Sequence, residues 1–228
     1  MDITTGAFWA ALGAIILANI VLSGDNAVVI AMAARSLPAH LQTRAIFWGS
    51  GAAIVMRIIL TLVAVEMLKW PYLKIIGALL LLYIGISLLS EDSGEEGSHK
   101  QIGTMAVAIR TILVADLVMS LDNVLAVAAA AKGNTPLLVI GLAVSIPLIV
   151  FGSTLLLRVM DRFPIIITVG AALLGFLAGE MLFTDPAFVA RVGAQTDVVV
   201  NAAGAMGALA VVAVGLWLQR RAQARAPA

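Results

Sequence analysis

The chain of 228 residues has no cysteine, two histidines and few charged residues. Without thiols it can form no disulfide bond and offers no thiolate metal ligand or cysteine nucleophile. Both histidines, His40 and His99, fall in predicted loops, so we do not expect imidazole to line a buried site. The formal net charge of +1 argues against nucleic acid as a partner. No glycine-rich phosphate loop is recognisable, so ATP is not the expected energy source.

Long apolar runs make up most of the sequence, and 62% of its residues are hydrophobic. The charged residues cluster between these runs, which is typical of an all-α polytopic membrane protein with the lipid bilayer as its surroundings. The first run is too long for a signal peptide and has no basic residues before it, so we expect nothing to be cleaved.

At about 20 apolar residues per crossing, the sequence predicts seven transmembrane helices. They fall at roughly 7–34, 42–66, 72–89, 104–131, 135–157, 164–183 and 199–218. The first and the fourth are longer than a straight crossing needs, so we expect them to tilt or break.

A polar motif occurs twice, at a separation of 97 positions, inside these two long runs. The first copy is Asn19, Ser23, Asp25 and Asn26, and the second is Asp116, Ser120, Asp122 and Asn123. A shift of 93 positions also superposes Trp70-Pro71 on Phe163-Pro164. The pattern predicts two units of three helices, about 7–89 and 104–183, joined by an acidic loop at about 90–103 and followed by the seventh helix.

Because three crossings are an odd number, the second unit must be inverted relative to the first. Inverted repeats with interrupted helices are a transporter architecture, with the site at the repeat interface near the midplane. We therefore expect residues 1–228 to form a single membrane domain.

The repeated carboxylates are costly, at roughly +2.5 to +3.5 kcal/mol each on insertion scales, so they indicate function. On an ideal helix, Ser23 and Asn26 lie within about 40° of Asn19, and the second copy forms a matching stripe. Asp25 and Asp122 lie about 120° from the start of each stripe. Either each faces a different neighbour, or the helix unwinds there, which Gly24 would ease in the first copy.

Every good donor atom in the two stripes is oxygen, which suits hard divalent cations such as Mg²⁺, Ca²⁺ or Mn²⁺. Two carboxylates would balance one such ion, and a third would be free to exchange a proton. Hydrogen bonding between helices is the alternative, above all for Ser23 and Ser120. The stripes could form one shared site or two separate ones.

Two further charged residues are accessory candidates. Arg57 lies near the middle of the second predicted helix, where it could pair with one of the aspartates or form part of a gate. Glu180 lies near the end of the sixth, where snorkelling to the membrane surface is the default, and is kept as a minor candidate.

The distribution of lysine and arginine predicts the orientation, because cytoplasmic loops are richer in both. One side has Arg35, Arg44, Lys100, Arg158, Arg162, Arg220, Arg221 and Arg225, and the other has Lys69, Lys74, Lys132 and Arg191. We expect the N-terminus outside and the C-terminus in the cytoplasm, in agreement with an odd number of crossings.

The chain resembles the TerC family of integral membrane proteins, and most of all its short, seven-helix YjbE-type branch. The resemblance rests on the stretch from Leu22 to Ala31 and on Asp116 to Asn123. It implies a relation to the LysE exporter superfamily, a role in moving manganese out of the cytoplasm, and an ion site containing Asp25, Asn26, Asp122 and Asn123. Many relatives are acidic where this chain has Asn19, which changes the charge balance of the site.

Together these observations predict a secondary exporter of divalent cations, most of all Mn²⁺, driven by proton antiport, in the inner membrane of a bacterium. Mn²⁺ is then a bound substrate, and no cofactor and no enzymatic activity are expected. An intramembrane aspartyl protease is disfavoured because Leu22 stands where that motif has glycine. The alternatives are export of another cation such as Ca²⁺, or a membrane partner that delivers metal to exported enzymes or a stress-response complex. The sequence does not determine whether the protein forms homo-oligomers.

Overall fold

The computed structural model describes residues 5–22, 24–67, 70–90, 104–131 and 135–224. Within these ranges, it describes the backbone but not the side chains of residues 7, 18–22, 64–67, 122, 125–131 and 135.

The described residues fold into nine α-helices. They are α1 (Gly6–Leu22), α2 (Gly24–Arg35), α3 (Ala39–Met67), α4 (Leu73–Ser90), α5 (Met105–Ala131), α6 (Thr135–Arg162), α7 (Ile165–Thr184), α8 (Pro186–Val192) and α9 (Asp197–Gln223). Each predicted membrane helix has a counterpart, with α1 and α2 together covering the first. The short helix α8 was not predicted, and α6 extends to Arg162 rather than residue 157.

Five of the described helices are long and apolar enough to cross a membrane by themselves, namely α3, α4, α6, α7 and α9. In α1 a shorter apolar stretch, Phe8–Leu17, adds to them. The helix α5 is as long as the five but carries Arg110, Asp116 and Asp122. The chain is thus an all-helical membrane protein, and the count of seven crossings stays a prediction.

The outer surface of the helices is apolar, the reverse of the pattern in water-soluble proteins. On α4 the side chain of Tyr83 is 70% exposed, and on α9 those of Met206 and Leu209 are exposed to the same extent. The interior holds a second set of apolar residues, around Ile15, Leu81 and Leu174. The exposed apolar side chains are suited to contact with lipid.

The helix contacts place the two polar motifs side by side. The pair α1 and α2 packs against both α5 and α6, and α3 packs against α5. On the other side, α4 packs against α7, and α9 packs against both of these helices. The helices that carry the two motifs therefore meet in the interior.

Glycines bring α7 and α9 into backbone contact. A Cβ atom at Gly179 would overlap the carbonyl oxygen of Ala203, and one at Gly207 would overlap that of Gly175. Small residues are the usual means of close helix packing in membranes. This contact fixes α7, the helix that carries Glu180, against α9.

Asp185 ties the end of α7 to the start of α4. Its buried carboxylate accepts hydrogen bonds from the backbone N–H groups of Tyr72 (3.1 Å), Lys74 (3.0 Å) and Ile75 (3.3 Å), and from that of Ala187 (2.7 Å). Four donors compensate the burial of the charge. The sequence interpretation missed this residue, although Asp followed by Pro186 is a common helix start.

Candidate functional site

A buried cluster of polar side chains surrounds Asp116 in the middle of α5. The carboxylate Oδ1 accepts hydrogen bonds from Arg57 Nη2 at 2.5 Å and from Asn26 Nδ2 at 3.1 Å. Ser120, one turn further along α5, donates its hydroxyl to Oδ2 at 3.3 Å. Three helices, α2, α3 and α5, thus contribute donors to one carboxylate.

The charges in this cluster are almost completely removed from solvent. The side chain of Arg57 is 2% exposed and that of Asp116 is 7% exposed. A buried ion pair is retained only where close geometry and further hydrogen bonds repay the loss of hydration. Here Asn26 and Ser120 supply the further bonds, and Arg57 is the partner that neutralises Asp116.

A cavity of about 80 Å³ lies between α2, α4, α5 and α7. Its polar lining consists of Asp25, Asn123 and Glu180, and its apolar lining consists of Leu81, Val118, Met119, Leu177 and Met181. One buried water needs roughly 10–15 Å³ of such space, so the cavity has room for a metal ion and some water.

Local geometry explains why Asp25 lines the cavity whereas Asn26 belongs to the cluster around Asp116. Adjacent helical residues point about 100° apart. Asp25, in the first turn of α2, lines the cavity and accepts a bond from the Asn26 N–H at 2.8 Å. Asn26 turns to Asp116 instead. The carboxylate of Asp25 therefore faces a different neighbour from the amide of Asn26.

The stripe on α5 likewise contributes residues both to the cluster around Asp116 and to the cavity. Asp116 and Asn123 are seven residues apart, which is about 10 Å along a helix with nearly the same direction. Asp116 belongs to the ion-pair cluster and Asn123 to the cavity. The helix is continuous from Met105 to Ala131.

Part of the predicted site lies outside the described side chains: those of Asn19 and Asp122, and the whole of Ser23. Their assignment stays a prediction, as does unwinding at Ser23. Among the side chains that the structure does describe, no group of three or more carboxylates or imidazoles is close enough to hold a metal ion. His40 lies in the first turn of α3 rather than in a loop and is exposed, so it lines neither place.

Glu180 is the residue whose place the sequence described least well. Its position near the end of the sixth predicted helix suggested snorkelling, but it lines the interior cavity with Asp25. Helical periodicity indicates a face of α7, and only the packing of α7 between α4 and α9 shows which face points inward.

Comparison with known sequences identifies the family of the chain. Residues 4–223 match the integral membrane protein TerC family. The chain belongs to the TerC family. It is 46% identical over 168 residues to the uncharacterized membrane protein YjbE of Bacillus subtilis, covering 73% of this chain and 76% of that protein.

Two further relatives are more distant. The uncharacterized membrane protein YceF of Bacillus subtilis is 25% identical over 182 residues, covering 76% of this chain and 70% of its own length. The inner membrane protein YgdQ of Escherichia coli is 27% identical over 134 residues, covering 51% of this chain and 56% of its own length. No solved structure matches the chain.

Proposed function

We propose that this TerC-family protein is a secondary transporter that exports divalent cations, above all Mn²⁺, from the cytoplasm. The observation that carries the proposal is the interior cavity lined by Asp25, Asn123 and Glu180. Two carboxylates and an amide inside an apolar membrane protein are costly unless they serve a ligand or a pathway.

The chemistry of this lining suits a hard divalent cation. Carboxylate and amide oxygens are the ligands that Mg²⁺, Ca²⁺ and Mn²⁺ prefer, and the chain has no thiolate to favour softer metals. Asp25 and Glu180 together balance two positive charges. Asn123 adds a neutral oxygen, and water fits in the remaining space.

The energy source that we propose is an inward flow of protons. Two ionised carboxylates cannot share a small apolar cavity without compensating charge, so release of the cation favours entry of protons or of another cation. A proton that replaces the metal and leaves on the opposite side would give antiport. Of the other members of the predicted site, Asp122 would add a negative charge and Asn19 a neutral oxygen.

The packing of the helices supports alternating access by two inverted units. Exchanging the first unit with the second maps the contact between α3 and α5 onto the contact of α1 and α2 with α6, and both contacts occur. It also maps α4 onto α7, which pack against each other. In such an architecture the site lies where the units meet and is exposed to each side in turn.

The proposed orientation in the inner membrane follows from the two ends of the helix bundle. Arg35 and Asp161 pair at 3.4 Å, which brings the basic ends of α2 and α6 together on the proposed cytoplasmic side. At the other end Arg191 donates to the Tyr72 hydroxyl at 3.2 Å, beside Lys74. The N-terminus then lies outside and the C-terminus inside.

Manganese efflux from living cells tests this proposal. A bacterial host without its own manganese exporters is loaded with Mn²⁺, and its metal content is followed with and without the protein. We expect the wild type to lower cell manganese and Asp25→Asn to lose the effect, because one of the two cavity carboxylates is neutralised.

The matched control is Asp161→Asn, which removes an aspartate whose side chain is 61% exposed and which should export like the wild type, since exposed ion pairs contribute little. Equal membrane levels of all three proteins are verified by immunoblot. Wild-type efflux by Asp25→Asn would contradict the proposed site. If the protein left the cell content of Mn²⁺ unchanged but lowered that of Ca²⁺, the transported ion would be Ca²⁺.

A further inference from the structure

The pairing of Arg57 with Asp116 has a consequence for the ion site. Three donors already engage the carboxylate of Asp116: the guanidinium on Oδ1, the Asn26 amide on the same atom, and the Ser120 hydroxyl on Oδ2. On the side of Asp116 that faces Asn26 and Ile112, the space is too small for a water molecule, so it has no room for a hydrated ion. In this arrangement donor groups of the protein itself occupy the carboxylate of Asp116.

We propose that Arg57 is a built-in counter-ion that removes Asp116 from the cation ligands, so that the ion is held by the cavity carboxylates Asp25 and Glu180. This inference rests on the proposed transport function and names the charge balance of the same site. It makes the second motif asymmetric: Asn123 serves the ion, whereas Asp116 serves Arg57.

Electrostatics gives the pair its effect on the site. Asp25 is within electrostatic reach of both Arg57 and Asp116, whose opposite charges act on it in opposite directions. With the pair intact, the two cavity carboxylates that the structure describes, Asp25 and Glu180, would together balance one divalent cation when both are ionised. Loss of Asp116 alone would leave the positive charge of Arg57 beside the site, and loss of Arg57 alone would add a negative one.

A double-substitution cycle tests the inference. Mn²⁺ binding to the purified protein in detergent is measured by calorimetry for the wild type, Arg57→Gln, Asp116→Asn and the variant with both changes. Melting temperature is recorded for each. Arg110→Gln is the matched control, because it removes an exposed arginine from α5.

We expect Asp116→Asn to weaken Mn²⁺ binding by about tenfold or more, because the positive charge of Arg57 would no longer be balanced by Asp116 and would repel a nearby cation in a low-dielectric interior. Arg57→Gln should bind at least as tightly as the wild type. The double variant should return to within about threefold of the wild type, since a buried pair can be replaced as a unit far more cheaply than one partner can be removed. Both single variants should melt below the double variant, and Arg110→Gln should match the wild type.

If Asp116 is itself a cation ligand, the double variant will bind as weakly as Asp116→Asn although it melts like the wild type, and the inference fails. It also fails if Asp116→Asn alone binds like the wild type, because Arg57 would then exert no charge effect on the cavity. A well-folded wild type that binds neither Mn²⁺ nor Ca²⁺ would instead remove the proposed function. The pairing would then be judged by the melting temperatures: additive changes would refute it.

Discussion

Glu180 brings a carboxylate from α7 to a cavity whose other polar groups come from α2 and α5. We predict that Glu180→Gln weakens Mn²⁺ binding by at least about tenfold, since even partners that only support metal ligands are worth 10–100-fold. Glu180→Asp keeps the charge and should retain more affinity than Glu180→Gln. Calorimetric titration of the purified variants measures both, and equal affinity for Glu180→Gln and the wild type would contradict a ligand role.

Asp185 is a residue whose importance is structural. We predict that Asp185→Asn lowers the free energy of unfolding by about 1–3 kcal/mol, because an amide offers one acceptor oxygen and turns a donor toward backbone N–H groups. The melting temperature in detergent should fall, while Mn²⁺ affinity of the folded fraction should change little. A melting temperature equal to that of the wild type would show that the four bonds to Asp185 contribute no net stability.

At the scale of residues, the sequence identified the polar set better than its arrangement. The free-energy cost of placing a charged side chain in the membrane pointed to Asp25, Asp116 and Arg57 from the sequence alone. Periodicity placed Asp116 and Asn123 on one face, but it could not show that an arginine from α3 engages one of them and a cavity receives the other. Pairing between distant residues depends on helix packing, which no local pattern encodes.

Among the helices, the contact between α7 and α9 should be the most sensitive to added volume. We predict that Gly179→Ala destabilises the protein and weakens Mn²⁺ binding, because the new Cβ would overlap the backbone of α9 and displace α7 next to Glu180. Thermal melting and metal titration of the purified variant measure the two effects.

Gly152→Ala is the matched control for this contact. Gly152 also lies inside a helix, α6, but nothing lies within 4 Å of where its Cβ would be. Alanine should therefore leave stability unchanged or raise it by up to about 1 kcal/mol through helix propensity. If both variants melted alike, close packing of α7 on α9 would not be what holds Glu180 in place.

Long apolar runs were sufficient to locate the five long apolar helices of the described residues, α3, α4, α6, α7 and α9, because about 20 apolar residues are needed to cross a bilayer. The sequence did not predict α8, which has only seven residues, nor the full length of α6, whose last turn includes the charged residues Asp161 and Arg162. Charged residues end an apolar run before they end a helix. Hydropathy therefore locates the buried part of a helix more accurately than its ends.

For the whole molecule, the prediction concerns orientation, and the absence of cysteine makes it simple to test. We predict that Val192→Cys reacts with a membrane-impermeant maleimide in intact cells, whereas His40→Cys reacts only after permeabilisation. Both positions are exposed. The opposite labelling pattern would invert the proposed topology.

The central claim is that this chain alone moves Mn²⁺ across a membrane through its carboxylate cavity. Its most direct test is Mn²⁺ flux in proteoliposomes that contain only this protein, run with and without a pH gradient beside Asp25→Asn and Asp122→Asn. We predict flux that responds to the gradient and disappears in both variants. Well-folded protein that binds Mn²⁺ but carries no flux would contradict the claim and favour a partner that delivers metal to other proteins.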